Sequence, residues 1–470
     1  VSTAPASSAT HLLDSLQRIA PLAWPVFIGQ IAVLAFGTLD TILIARYAAT
    51  DLAALSVGAA VYITVFIGLM GVVLAVGPIA GQLFGAGDRH GAGRQMHQAV
   101  WLALALSGLG SLVLLFPGPF IDVSQAGPEV AQKVRAYLAA LAVSLPAALL
   151  FAAYRGFNNA VSRPRAVMAI QLGGLALKAP LSLLFVYGFD LATPLGHLKL
   201  PALGVMGCGI ATAIVMWCQV LLAWWSIRHQ AFYADFGLHR RGLMRADLLA
   251  IKNQLLLGLP MGFTILIEVT AFSFMAIFIS RIGTTAVAGH QIAANLVSLM
   301  FMVPLALASA SSALVAQRIG ARDFAAARRI GWHGLEIGVM VATLLGGVVY
   351  FGRHQILTIY TGDPVIAAAA LPLLAWLWIF HIADAAQTLA TLVLRAHRVT
   401  TLPSLIYVVV LWGVGLGGGY ALAFHSQRWA PESLWGARGF WAASTIGLVL
   451  AGLCMSALLA RVHRSEIETA

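Results

Sequence analysis

The sequence predicts an all-α polytopic membrane protein: twelve transmembrane helices in two six-helix bundles, related by a parallel pseudo-two-fold axis along the membrane normal. Three observations lead there. Of 470 residues, 60% are hydrophobic and 10% charged, with a mean hydropathy of +0.89. A water-soluble domain carries about a quarter charged residues, and so few charges cannot cover a globule of this size. The apolar residues fall in long continuous runs, without the two-residue alternation of barrel strands. The chain also repeats itself at a constant offset of 235 positions.

A membrane-spanning helix needs about 20 mostly apolar residues. Runs of that kind lie near 19–45, 52–83, 94–117, 132–154, 164–188 and 203–227, and again near 248–280, 286–317, 327–352, 364–394, 401–424 and 436–460. The polar stretch RHQAFYADFGLHRRGLMRAD separates the two series. The expected divisions are a cytoplasmic tail at 1–18, an N-terminal lobe at 19–227, a cytoplasmic linker at 228–247, a C-terminal lobe at 248–462 and a second tail at 463–470. The opening VSTAPASSATHLLDSLQ lacks a basic n-region, so the first apolar run is expected to insert and stay.

The net charge of +11 is spread over short loops rather than gathered in one patch, which points to a lipid surface and away from nucleic acid. Nineteen Lys and Arg residues fall on the side shared by both termini, among them Arg94, Arg163, Arg228, Arg240, Arg241 and Arg329. Eight fall opposite, among them Arg46, Lys133, Arg281 and Arg428. The bias puts both termini in the cytoplasm. The expected location is a bacterial-type inner membrane, and the expected working unit is a monomer. Cys208, Cys218 and Cys454 lie inside apolar runs without zinc-like spacing. No nucleophile–base pair, HExxH or GxSxG is found, so an intramembrane enzyme is not expected, nor is a cofactor.

The repeat carries the two-lobe reading. AGQLFGAGDRHGAGRQ at 80–95 resembles VAQRIGARDFAAARRI at 315–330. The offset pairs Pro25 with Pro260, Arg46 with Arg281, Gln82 with Gln317, Gly85 with Gly320, and Arg94 with Arg329. Farther on, Gly204 and Gly207 answer Gly436 and Gly439. Each half holds an even number of spans, so both share one orientation, as in transporters built from parallel repeats.

Four of the 17 acidic residues fall within spans: Asp40, Glu268, Glu336 and Asp384. An ionised carboxylate near the bilayer centre costs roughly 2.5–3.5 kcal/mol on insertion scales. A proton or a small cation relieves that cost, which is what an ion-coupling site requires. The depths of Asp40 and Lys178 differ by about 6 Å at 1.5 Å per residue. They either pair, or Lys178 snorkels outward while Asp40 bonds a hydroxyl or the backbone. Glu268 and Asp384, both near mid-membrane, suit a shared oxygen site for Na+, or each is protonated and silent. His381, one turn from Asp384, is placed to tune or replace that carboxylate. Glu336 reads as interfacial. Phe36, Phe272, Met275, Phe380 and His381 share faces with the carboxylates and are candidate cavity-lining residues for flat organic cations.

The stretches PVFIGQIAVLAFGTLDTILIAR, GQLFGAGDRHGAGR, LLFVYG, LGVMGCGIATA, LIEVTAFSF, AQRIGARDFAAARR and IADAAQTLATLVLRAHRVT resemble the multidrug and toxic compound extrusion (MATE) family, in its NorM-like branch. The resemblance covers about residues 15–460. It implies a two-lobed antiporter that exports cationic drugs and dyes in exchange for Na+ or H+. Under it, Asp40 is the N-lobe carboxylate linked to protons or drug. Glu268 and Asp384 are the C-lobe cation-binding pair, and Pro25 is a hinge in helix 1. Relatives commonly carry asparagine at the positions of Lys178 and Ser182, so Lys178 is a departure that adds a fixed charge beside Asp40. A lipid-linked precursor flippase of the same superfamily is the alternative; it predicts a more basic cavity, and Lys178 is the one hint of that.

Overall fold

A backbone in lipid must satisfy its own N–H and C=O groups, and every predicted apolar run does so as a helix. The computed structural model describes residues 8–124, 127–193, 196–239, 242–425 and 431–468. Arg240, Arg241 and Arg428, used for the orientation expectation, lie outside the described residues, as do the tail positions 1–7 and 469–470. Among the described residues, twelve helices are long and apolar enough to cross a membrane. They are α1 His11–Tyr47, α2 Ala49–Gly85, α3 Arg89–Leu115, α4 Pro128–Ala160, α5 Pro164–Tyr187 and α6 Val205–His229. The second set is α7 Leu248–Ser280, α8 Thr284–Gly320, α9 Phe324–Tyr360, α10 Pro364–Ala396, α11 Thr401–His425 and α12 Ala437–Ser465.

The contacts divide into two compact units, Ile28–Gly262 and Val1–Phe27 with Phe263–Ala470. The division falls inside α1 and α7, just past Pro25 and Pro260, whereas the linker was the expected boundary. The first half of α1 therefore packs with the C-terminal spans; Ile19, for one, is fully buried in their core.

Each unit repeats one pattern of neighbours. In the first, α4 packs against α2, α3 and α6; in the second, α10 packs against α8, α9 and α12. The loops between α2 and α3 and between α8 and α9 match as well. Asp88 caps α3 by accepting from the Gly91 N–H, and Asp323 caps α9 by accepting from the Ala326 N–H. The residues just before the caps, Gly87 and Arg322, both take positive φ, at 83° and 58°. Gly204 and Gly436, at φ 54° and 61°, start α6 and α12, and each carbonyl accepts from the N–H three residues on. A side chain at Gly204 would run into the Asp51 carboxylate.

Four features were not expected. A hairpin of β1 Phe189–Thr193 and β2 Gly196–Leu200 joins α5 to α6, with Phe189 opposite Leu200. The α2 helix is broken at Leu74 and Ala75. The middle of α11, Val408–Gly417, is wound as π-helix, a form that recurs at functional sites. The linker is no loose tether, because the 3-10 turn Ala231–Phe236 folds back on the first unit. Phe236 stacks on Phe84 and meets Phe157 edge-on, and the Tyr233 hydroxyl donates to Asn158 at 2.6 Å. Farther along, Trp101 Nε1 donates to the Met244 carbonyl at 2.9 Å.

Candidate functional site

In the first unit the buried charges meet among α1, α5 and α6. Lys178 is fully buried on α5, and its Nζ lies 2.9 Å from both oxygens of Asp40 on α1. The third ammonium hydrogen reaches Thr212 Oγ1 on α6 at 2.8 Å, and Thr212 in turn donates to the Cys208 carbonyl. Ser182, one turn past Lys178, donates to Asp40 Oδ1 at 3.4 Å. Phe36, one turn before Asp40, puts its ring centroid 5.9 Å from the ammonium. The lysine is thus saturated within the protein and does not snorkel. Its charge cancels that of Asp40, so this cluster is neutral as it stands. Thr212 was not singled out from the sequence; only its helix partner on α5 was legible.

In the second unit the two carboxylates converge on one amide. Gln387 Nε2 donates to Asp384 Oδ1 at 2.9 Å and reaches Glu268 Oε1 at 3.3 Å and Thr388 Oγ1 at 3.0 Å. The Tyr407 hydroxyl donates to Gln387 Oε1 and lies 3.1 Å from Thr391 Oγ1. Gln387 is fully buried and Asp384 nearly so, while Glu268 is half-buried and is the more accessible member. An amide nitrogen has two hydrogens, so it cannot fully satisfy two carboxylates and a hydroxyl. With both carboxylates ionised, the group has room in its bonding for a proton or a small hard cation, beside the charge interaction of Glu268 with Arg395. Glu268, Asp384, Gln387 Oε1, Thr388 and Tyr407 supply the oxygens that Na+ prefers. No set of three or more His, Cys, Asp or Glu residues arranged for a tighter metal is found among the described residues.

Gln387, Thr388 and Tyr407 were missed. Asp384, Gln387, Thr388 and Thr391 follow one another at helical spacing, a polar stripe inside an apolar span, and that pattern could have found the first two. Tyr407 directly precedes the π-wound segment of α11, which no periodicity announces.

The remaining candidates sit apart from these contacts. His381 is buried at 1% exposure, and neither ring nitrogen makes a hydrogen bond among the described residues, so it does not bond Asp384. Phe272 and Phe380 pack on the fully buried Trp441, with centroids at 6.3 and 5.3 Å. Met275 is also in this core, 2% exposed, beside the Ser444 hydroxyl. Glu336 is exposed on α9, and its neighbour His333 bonds Ser15 of α1 at 2.7 Å. Pro25 is buried, with Pro21 a turn earlier in the same helix. A further buried carboxylate, Asp51, was read as lying outside the spans. It binds Lys133 of α4 and accepts from the Val205 N–H at the start of α6.

The MatE family model matches residues 25–184 and 260–421, one block in each half. The chain is 38% identical over 444 residues to the probable multidrug resistance protein NorM of Aromatoleum aromaticum, covering 94% of this chain and 93% of that one. It is 36% identical to the probable multidrug resistance protein NorM of Chromobacterium violaceum, covering 98% and 97%. Among solved structures, the outward-facing conformation of a multidrug resistance MATE family transporter of the MOP superfamily superposes with a TM-score of 0.84. Identity there is 18%, with 99% of this chain and 100% of that one covered. The chain is a multi-pass membrane protein of the MATE family, in its NorM-like branch, and as such a transporter and not an enzyme.

Proposed function

We propose that the protein is a secondary active multidrug efflux transporter that exports small, mainly cationic organic compounds in exchange for Na+ or H+ by alternating access. It works as a monomer in a bacterial-type inner membrane, with both termini cytoplasmic, and needs no cofactor beyond the coupling ion. The observation that carries this reading is the under-satisfied group of Glu268, Asp384 and Gln387, where two carboxylates share one amide nitrogen. Loading of Na+ or H+ from outside offsets one of the two negative charges and competes with the organic cation, which leaves; loss of the ion to the cytoplasm restores the full negative charge and admits the next one. One cation moving inward through about 150 mV releases about 3.5 kcal/mol, at 2.3 kcal/mol per 100 mV. That energy sustains about a 300-fold gradient of a neutral compound; one-for-one exchange with a monovalent organic cation moves no net charge, and there the ion's concentration gradient supplies the drive.

Phe36 faces the Lys178 ammonium; under this proposal Phe272, Phe380 and Met275 line the path of flat organic cations, and Pro25 is the hinge of α1. Within this reading Lys178 is an internal counter-ion to Asp40. The flippase alternative expects a more basic cavity, of which Lys178 was the one hint, and that lysine is already saturated by Asp40 and Thr212.

The test is ethidium transport in proteoliposomes driven by a Na+ gradient or a pH gradient, applied separately. At least one gradient is expected to drive transport, and Glu268→Gln and Asp384→Asn to abolish that drive. Normal transport by both variants with an unchanged ion requirement would overturn the reading.

A further inference from the structure

The first unit holds a half-open cavity of about 300 Å³ that neither cluster uses, lined by α3, α4, α6 and the folded-back linker. That volume is at the lower end of small-molecule pockets. Val100, Phe151, Ala223 and Leu238 are among its walls, with His97 and Tyr154 as polar members. Trp224 and Leu243, both exposed, mark its mouth at the outer surface of the unit. Arg228 lies on the lining with its guanidinium carbon 5.3 Å from the centre of the Trp224 ring. No carboxylate lines the cavity, and the Arg228 guanidinium has no ion pair or hydrogen bond among the described residues.

We propose that this cavity binds an anionic phospholipid, with part of an acyl chain inside and the phosphate on Arg228. A cation on the lining of an apolar cavity that no carboxylate lines calls for a ligand that joins an anion to an apolar tail. Organic cations, the cargo proposed above, are repelled by Arg228. A guanidinium offers parallel donors that match phosphate oxygens. The site lies at the end of α6 where Trp224 and Trp225 are 55% and 56% exposed, as interfacial tryptophans are. It is also the end carrying the larger share of Lys and Arg, which faces the anionic leaflet. The linker contributes to the cavity, so an occupying lipid holds Leu238 and Leu243 against the bundle.

The test is native mass spectrometry of the full-length protein in detergent, titrated with phosphatidylglycerol or phosphatidylcholine of identical chains. Wild type is expected to retain one phosphatidylglycerol at least about tenfold more firmly than phosphatidylcholine, the effect of one charge-assisted contact. Arg228→Gln removes that preference, and Ala223→Phe, which fills the cavity, lowers retention of both lipids. Excess inorganic phosphate leaves the bound lipid in place. Equal retention of the two lipids by wild type, an unchanged preference in Arg228→Gln, or displacement by phosphate alone overturns the proposal. Melting temperatures of both variants are measured alongside; Arg228→Gln alters a half-buried rim residue and serves alone if Ala223→Phe does not fold.

Discussion

Removing the ammonium of Lys178 while leaving Asp40 in place isolates a carboxylate that is 6% exposed. Lys178→Met keeps most of the side-chain length and deletes the partner that holds both Asp40 oxygens at 2.9 Å. What remains to Asp40 are the Ser182 hydroxyl at 3.4 Å and the Cys208 thiol. Breaking a buried pair from one side costs about 3–5 kcal/mol, because the other charge stays without compensation. Asp40→Asn leaves the converse problem, a buried ammonium with Thr212 as its polar neighbour. The double variant Asp40→Asn/Lys178→Met removes both charges, so the two losses should not add. A coupling energy of about 2–3 kcal/mol is expected from the double-mutant cycle. The assay is reversible unfolding in mixed micelles at neutral pH, followed by circular dichroism. If the double variant loses the sum of the single losses within about 0.5 kcal/mol, the pair is not an energetic unit and the reasoning fails.

Lys178→Asn, which removes the internal counter-ion, is expected to change the pH profile of ethidium transport or the range of compounds carried. Identical transport across pH would count against the counter-ion role. Gln387→Leu keeps the volume but leaves Glu268 Oε1 and Asp384 Oδ1 without their shared donor. The ion concentration for half-maximal transport should shift by about tenfold, the effect of 1.4 kcal/mol; an unaltered value would exclude Gln387 from the coupling site. Gly204→Ala forces a side chain onto a backbone at φ 54° and into the Asp51 carboxylate. A loss of about 1–3 kcal/mol in stability is expected, read by the same unfolding assay. Pro25→Ala restores an N–H able to bond the carbonyl of Pro21, stiffening α1. Turnover should fall several-fold while equilibrium dye binding holds, and unchanged turnover would remove the hinge.

Several parts of the molecule were legible because a local rule sets them. The span Leu248–Ser280 begins and ends where its apolar run does. The matching caps at Asp88 and Asp323 follow from the repeated loop motif. The hairpin at 189–200 was hidden because its five-residue strands sit between two far stronger helical signals. Asp51 was set aside for the same kind of reason: it stands at the edge of an apolar run, and only the approach of Lys133 and the start of α6 makes that edge an interior.

By itself the sequence determined that this chain lives in lipid, crosses it twelve times as helices, repeats one design, and carries carboxylates where lipid disfavours them. Those properties depend on composition and on neighbours a few residues apart, since hydropathy and helical hydrogen bonding are local. The tertiary structure alone decided that Lys178 is saturated by Asp40 and Thr212, that Gln387 joins Glu268 to Asp384, and that Tyr407 completes the group. Apart from the step from Gln387 to Asp384 along α10, those contacts join residues from different helices, and periodicity fixes which face of a helix a side chain is on but not which helix it meets.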